Sequence, residues 1–217
     1  MNLKFRFLGS ILIFAVVAAS QAQFVSYEAP GGSFLKTSGG ANITAGNLNA
    51  TGSSAVLEPG VTVPNTVFLR NTVLSNSAAS AVANNQYFQF TLQANSGLGL
   101  DLLFMSFDAQ ATVQSMQVGW VLRSSIDGFA TDVATSQIPS DSYMSHFNAY
   151  LGDLSTTSIT APITFRFYGY SPTAQSGIYF DNIKVFYGVS TPVPEPFTMA
   201  LMGLGAAAAL RRKLRKS

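Results

Sequence analysis

The chain has 217 residues, of which 47% are hydrophobic and only 10% charged, with no cysteine and one histidine. The absence of cysteine excludes a disulfide framework and thiolate metal sites. Basic residues cluster at both ends of the chain, and residues 23–190 contain only five basic residues against nine acidic ones. This part of the chain therefore lacks the clustered cations that nucleic-acid binding needs.

The first predicted element is a secretory signal over residues 1–22, to be removed by signal peptidase. Lys4 and Arg6 precede an apolar stretch at 8–19, whose length of about 12 residues lies within the ~7–15 expected. Small residues at positions −3 and −1 favour cleavage after Ala22. The alternative is a buried helix of a cytosolic protein. The basic residues before the apolar stretch and the small residues at the cleavage site argue against it.

Residues 23–190 are predicted to form one domain made of short β-strands. Apolar and polar residues alternate with a period of two, the pattern of half-buried strands. The predicted strands are Phe24–Glu28, Val67–Leu74, Tyr87–Leu92, Leu100–Phe107, Met116–Arg123, His146–Leu151, Ile163–Tyr168 and Gly177–Tyr187. Glycine and proline turns separate them, which indicates an all-β antiparallel β-sandwich. Residues 77–83 fit one short helical turn or a loop, and residues 31–60 fit long loops or irregular edge strands.

Catalytic chemistry finds little support in this sequence. There is no zinc-binding His-Glu-x-x-His motif, cysteine nucleophile, nucleophile elbow or phosphate-binding loop. The one histidine, His146, is interpreted as a surface or strand-edge residue. Two carboxylates could serve a glycoside hydrolase, but the acids show no spacing signature. We therefore predict a protein that is not an enzyme, with no catalytic residues and no cofactor.

Asp181 is the most informative single residue of the domain. It shares strand parity with Val185, so a core on that face would bury its carboxylate, which costs several kcal/mol unless the charge is paired or metal-bound. An ion pair with Arg123 or Arg166, or a hydrogen-bonded core carboxyl, is favoured, and a structural Ca²⁺ is the alternative. The apolar Phe186 on the other parity indicates that this strand lies at an edge or contains a bulge.

A loop and three aromatic residues offer weaker candidates for binding. Residues 127–132 predict an Asp-Gly turn between strands, with an oxygen-ligand metal loop as the alternative. Trp120 falls on an apolar face and is interpreted as a core residue rather than part of a sugar-stacking platform. Arg166, Tyr168 and Tyr170 share one parity, and we predict that they form an exposed ligand-binding strip.

The last segment, residues 191–217, combines three features. Pro194, Glu195 and Pro196 lie in an extended linker, and a fourteen-residue apolar run follows at 197–210. The basic end consists of Arg211, Arg212, Lys213, Arg215 and Lys216. Fourteen helical residues reach roughly 21 Å, short of the ~30 Å hydrocarbon core, so the run predicts a short, marginal membrane span. The basic end is expected to stay cytoplasmic, which leaves the domain outside.

The order of these features resembles the PEP-CTERM sorting signal of Gram-negative bacteria. The resemblance implies an exosortase, a membrane cysteine protease, that recognises Pro194, Glu195 and Pro196 and cleaves near them. It also implies a transient stay in the inner membrane, then delivery to the cell surface or extracellular matrix, often alongside exopolysaccharide. An ordinary tail anchor with a proline-rich linker is the alternative.

Three further segments, residues 120–129, 165–170 and 177–183, resemble parts of secreted PEP-CTERM proteins of jelly-roll type. This resemblance implies a jelly-roll-like sandwich, in which late-strand acids such as Asp181 often hold a structural Ca²⁺. The leading function hypothesis is a structural or interaction protein of the surface or matrix, linked to exopolysaccharide. A carbohydrate-binding module is the alternative, and a secreted glycan hydrolase has the least support.

Overall fold

A computed structural model of the chain describes residues 23–28, 36–51, 55–59, 66–71, 75–112, 117–139, 143–154, 157–172 and 177–191. The predicted signal at 1–22 and the sorting tail from residue 192 onward lie outside the described residues. The described part is almost entirely β-structure, with thirteen strands, one short α-helix and two 3-10 turns. None of its helices has the length and apolar character needed to cross a membrane.

The strands form two antiparallel sheets. The first sheet contains β1 (Gln23–Tyr27), β2 (Lys36–Ser38), β5 (Ala55–Pro59), β6 (Val67–Asn71), β8 (Gly99–Ala111), β11 (Ser145–Tyr150) and β13 (Gly177–Ser190). The second sheet contains β3 (Ile43–Ala45), β4 (Asn49–Thr51), β7 (Tyr87–Ala94), β9 (Gly119–Ser124), β10 (Ala134–Gln137) and β12 (Ile163–Tyr170). The predicted all-β antiparallel architecture is therefore confirmed.

Eight of these strands make the two main layers. Their order is β11-β8-β13-β1 in the first sheet and β10-β9-β12-β7 in the second. This order is consistent with a jelly roll, in which two four-stranded sheets face each other. The long strand β13 lies in the middle of the first sheet, with β8 on one side and both β1 and β6 on the other.

The core lies between the two sheets and is rich in aromatic rings. Phe107 of the first sheet packs edge-on against Trp120 and Phe167 of the second, with centroids 4.8 and 5.0 Å apart. Phe88 and Phe180 make a similar cross-sheet contact at 5.1 Å. Offset and edge-to-face pairs of this kind add to the free energy gained by burying the rings. Trp120 is buried, as its apolar parity predicted.

The structure also contains short elements that lack an alternating pattern, and two of the segments that hold them, 31–60 and 77–83, were each predicted only as a choice between two alternatives. Strands β2, β3 and β4 have three residues each, too few to show a period of two, and β10 is a four-residue edge strand. A short helix, α1 (Ala78–Ala83), is capped by the Ser77 hydroxyl, which accepts from the Ser80 N–H. This helix covers Tyr87, Val121 and Tyr168 on the outer face of the second sheet.

A β-bulge changes the parity of β13. The register with β8 shifts between Asp181 and Lys184, where Asn182 takes a positive φ of 50°. As a result, Phe180 and Ile183 both face the core, and Asp181 lies on the outer face. The bulge that the irregular apolar pattern predicted is present, but the strand is central rather than at an edge. The expectation of an inward-pointing carboxylate at Asp181 is wrong, because it assumed an uninterrupted parity.

Candidate functional site

Four aromatic side chains lie side by side on the outer face of the first sheet. They are register partners on neighbouring strands, in the order Phe24 (β1), Phe186 (β13), Phe104 (β8) and Tyr150 (β11). Phe24 is 44% exposed, Phe104 is 37% exposed and Tyr150 is 67% exposed. Exposed apolar side chains that are contiguous in this way commonly mark an interaction surface.

The middle rings of this row stand upright on the sheet. Phe104 and Phe186 are stacked, with centroids 4.2 Å apart and planes 15° apart. This separation is close to the ~4.8 Å between neighbouring strands, so the two rings face each other and one face of each is covered. Phe24 continues the row at 5.7 Å from Phe186 with a 40° tilt. We call Phe24, Phe104, Phe186 and the 38% exposed Leu103 the apolar ridge.

Tyr150 differs from the ridge because it also lines a cavity. This cavity has a volume of about 300 Å³ and lies where the connection before β10 meets the turn after β11. We call it the edge cavity, and its lining residues are Thr131, Asp132, Val133, Tyr150, Asp153 and Leu154. A Cβ at Gly152 would lie 2.3 Å from the Tyr150 hydroxyl oxygen, so the missing side chain makes room for the ring.

An ion pair fixes one carboxylate of the edge cavity. The Arg123 Nε donates to Asp132 Oδ1 at 2.6 Å, and its Nη1 donates to the Phe129 carbonyl at 2.9 Å. The pair neutralises Asp132 and holds it in one position. The cavity therefore combines an aromatic ring, two carboxylates and a threonine hydroxyl, which is the usual mixture of one apolar wall and a few oriented polar groups.

The predicted partners of Asp181 are dispersed over the two sheets. Asp181 lies in the first sheet, where its Oδ1 accepts from the Asn182 N–H at 2.8 Å. Arg123 and Arg166 lie in the second sheet, and each has a polar partner there: Asp132 for Arg123, and Gln89 at 3.1 Å for Arg166. No group of three or more metal-ligating side chains is found within the part of the chain that the structure describes.

The environment of Asp181 changes its acidity. Burial raises the pKa of Asp181 above its ordinary value. The hydrogen bond from Asn182 opposes this effect, whereas the negative charges of Asp108 and Glu28 raise the pKa further. A raised pKa means that the folded chain holds the proton more tightly than the unfolded chain. The ionised carboxylate therefore destabilises the fold at neutral pH, and this penalty disappears as the pH falls through the folded pKa.

We therefore expect Asp181→Asn to stabilise the protein at pH 7. The gain in the free energy of unfolding should be on the order of 0.5 kcal/mol, because solvent screens this half-exposed group. It should vanish below the ordinary aspartate pKa of about 3.9, where both states are protonated. Urea unfolding at pH 7 and pH 3 measures both values. Asp153→Asn, at an exposed carboxylate, is the control, and a variant less stable than wild type at pH 7 would contradict the sign.

His146 lies on the edge strand β11 and is exposed, as predicted. Its Nδ1 is 2.7 Å from Asp108 Oδ1, and the other oxygen of Asp108 accepts from the Asn182 side chain at 2.8 Å. These contacts orient the imidazole on the outer face of the sheet, where β8 lies between His146 and the bulge of β13. They form a polar patch beside the aromatic row.

The strip predicted at Arg166, Tyr168 and Tyr170 is not an exposed row. Tyr168 is only 1% exposed, because α1 packs over it. Arg166 lies between two rings, with its guanidinium carbon 4.2 Å from the Tyr87 centroid and 3.6 Å from that of Phe129. The expectation of exposure is therefore wrong for Tyr168, since strand parity cannot anticipate a covering helix.

Residues 127–132 form the predicted turn. The Asp127 carboxylate accepts hydrogen bonds from the N–H groups of Ala130 and Thr131 and from the Thr131 hydroxyl. The hydroxyl contact is the main cause that lowers the pKa of Asp127. Gly128 takes a positive φ of 69° near the start of this turn, where it follows a short 3-10 helix at Ser125–Asp127, and glycine adopts this conformation readily. The carboxylate oxygens of Asp127 thus serve the loop's own backbone.

The aromatic row was missed at the sequence level, although a signal for it existed. Phe104 shares strand parity with the polar Asp108, and Tyr150 shares it with His146. An aromatic residue on the polar parity of a strand indicates an exposed ring. That signal does not reveal that the four rings are neighbours, because their strands are distant along the chain.

Comparisons with known proteins give a family match only for the tail. Residues 192–216 match the family model described as a PEP-CTERM protein-sorting motif. Among solved structures, a variant family 29 carbohydrate-binding module complexed with mannohexaose is 12% identical with a TM-score of 0.43, covering 76% of this chain and 92% of that chain. A family 29 module from Piromyces equi is 12% identical with a TM-score of 0.42, covering 77% and 91%. No curated protein matches the chain.

Proposed function

We propose that this chain, which carries a PEP-CTERM sorting motif at residues 192–216, is a non-enzymatic protein of the cell surface or extracellular matrix that binds exopolysaccharide. The motif indicates an exported protein that is sorted through the membrane. In this proposal signal peptidase removes residues 1–22, the sandwich of residues 23–190 acts outside the cell, and residues 191–217 serve for sorting by an exosortase.

The sorting step can be tested at the motif itself. We expect a host with an exosortase to release a protein that lacks the apolar run and the basic end. Replacing Glu195 with alanine should leave the tail in place, because a protease that reads Pro194, Glu195 and Pro196 loses the one charged group of the motif. Intact-mass spectrometry of the exported protein measures this. An exosortase-deficient host is the control, and wild-type protein that keeps its full tail in both hosts would contradict the proposal.

Glycan binding is supported by a single observation, the exposed ring of Tyr150 at the edge cavity. The C–H groups on one face of a pyranose ring pack against an aromatic face. Sugar hydroxyls can then donate hydrogen bonds to the carboxylates of Asp132 and Asp153, and such charge-assisted bonds are among the stronger ones. Because Asp132 is already paired with Arg123, it stays in place without a ligand, which lowers the cost of ordering on binding.

The charge of the cavity indicates which polysaccharides to test. With one carboxylate neutralised by Arg123 and a second one at Asp153, the edge cavity repels anionic sugars. We therefore expect neutral polysaccharides to be retained and polyuronates to be excluded. A glycan array probed with the exported chain tests this expectation. The absence of any retained glycan would overturn the binding proposal, and release of new reducing ends from a bound glycan would contradict the non-enzymatic assignment.

A further inference from the structure

The apolar ridge is not explained by glycan binding. The rings of Phe104 and Phe186 are stacked on each other, so one face of each ring is covered, and Phe24 packs beside Phe186. A pyranose ring needs a free aromatic face, and the stacking removes two of the faces that this pair could offer. What the ridge offers is a contiguous apolar surface across β1, β13 and β8, and such a surface is commonly covered by a partner.

The ridge lies near the end of the sheet where the chain leaves the domain. Ser190, the last residue of β13, pairs with Gly99, the first residue of β8. Phe186 is four residues from this end, roughly 13 Å along the strand. Phe24 lies at the start of β1 and pairs with Phe186. The ridge is therefore close to the point from which the sorting tail departs.

The tail allows little separation between this end of the sheet and a membrane. Only residues 191–196 join β13 to the apolar run that begins at Phe197. Six residues span at most about 21 Å when fully extended. With the run inserted in the bilayer, the ridge end of the first sheet is held near the membrane surface on the side where the domain lies.

A second membrane contact would strengthen a weak anchor. A helix formed by the fourteen residues of the apolar run would be shorter than the ~30 Å hydrocarbon core, and a single weak lipid anchor likewise needs a second signal for stable membrane binding. We propose that the apolar ridge docks on the lipid surface while the tail is still attached. Phe24, Leu103 and Phe104 would lie at the boundary between headgroups and acyl chains, and the domain would leave the membrane once the tail is cut.

This inference rests on the proposed sorting through the membrane, and it can be tested on the protein that begins at Gln23 and keeps its tail. This protein is reconstituted into vesicles of phosphatidylethanolamine and phosphatidylglycerol, with and without brominated acyl chains that quench nearby tryptophan. The variants are Phe104→Trp and, as a second probe, Phe24→Trp. Tyr143→Trp is the matched control, because Tyr143 is 75% exposed and lies beyond the opposite end of β11 from Tyr150. The buried Trp120 supplies a constant background that is measured with wild type.

We expect brominated lipid to remove most of the added fluorescence at positions 104 and 24 and little of it at position 143. Equal quenching at all three positions would overturn the docking proposal while leaving tail insertion intact. Blue-shifted emission at position 104 without quenching by lipid would also overturn it, since the ridge would then be covered by the tail or by a second copy. A chain that fails to float with the vesicles would overturn tail insertion and ridge docking together, whereas glycan binding is judged separately on the array.

Discussion

Replacing Phe107 with alanine is expected to lower the free energy of unfolding by about 3–5 kcal/mol. Phe107 is fully buried and contacts Trp120, Phe147, Phe167 and Phe180, so it joins rings of both sheets. Truncation removes its apolar surface and leaves a cavity that the rigid strands cannot close. Urea unfolding, followed by the fluorescence of the one tryptophan, measures the loss.

Two further variants make the result for Phe107 specific. Phe107→Leu keeps most of the apolar volume and should cost less than the alanine variant. Tyr143→Ala removes an aromatic ring of similar size from the surface and should change stability by no more than about 0.5 kcal/mol. A loss for Phe107→Ala as small as that of Tyr143→Ala would contradict the description of the core between the sheets.

Tyr150→Ala is expected to lower the affinity for the retained polysaccharide about tenfold or more, equivalent to at least ~1.4 kcal/mol. Among the described residues that line the edge cavity, Tyr150 alone is aromatic, and its loss removes the surface on which a sugar ring packs. Because Tyr150 is mostly exposed, its truncation should leave the unfolding midpoint almost unchanged. Affinity electrophoresis or titration calorimetry against the glycan selected on the array measures the effect.

The control variants for Tyr150 distinguish the contribution of the aromatic ring to glycan affinity from the contributions of its hydroxyl and of its position in the cavity. Tyr150→Phe keeps the ring and should retain most of the affinity. Gly152→Ala adds a Cβ where the Tyr150 hydroxyl lies, so it should displace the ring and weaken binding as well. Tyr143→Ala should have no effect on binding. If Tyr150→Ala binds as tightly as wild type, the edge cavity is not the glycan site.

The proposals for the two surfaces predict an order of events along the protein's route. During sorting, the apolar ridge would contact lipid and hold the first sheet close to the membrane. After cleavage near Pro194, the edge cavity would be free to meet polysaccharide outside the cell. The ridge and the cavity adjoin at Phe104 and Tyr150, which are register partners. Variants at Phe104 and Tyr150 therefore distinguish the two stages.

Part of the fold was predictable because it depends on the pattern of neighbouring residues in the sequence. The alternation in β7, β9 and β12 identified the core faces, including Trp120, and the glycine and proline turns indicated a sandwich. Residues 31–60 were predicted only as long loops or irregular edge strands, and the bounds of β2, β3 and β4 could not be predicted, because three residues carry no readable period. Asp181 was placed on the wrong face because its face was inferred from Val185, which lies beyond the bulge. One extra residue in a bulge reverses the strand parity between the residues on its two sides.

The amino-acid sequence by itself determined the β character of the domain, its buried faces and its sorting tail. These features are encoded in alternation and in a short linear motif, which need no knowledge of distant residues. Only the tertiary structure decided which aromatic rings stay exposed and which lie together. Tyr168 is covered by a helix from another part of the chain, and Phe24 meets Phe186 through pairing between the first and last strands. The exposure of a ring and its neighbours on the sheet depend on strand pairing and helix packing between residues that are distant in the sequence. A local pattern of residues does not encode these contacts.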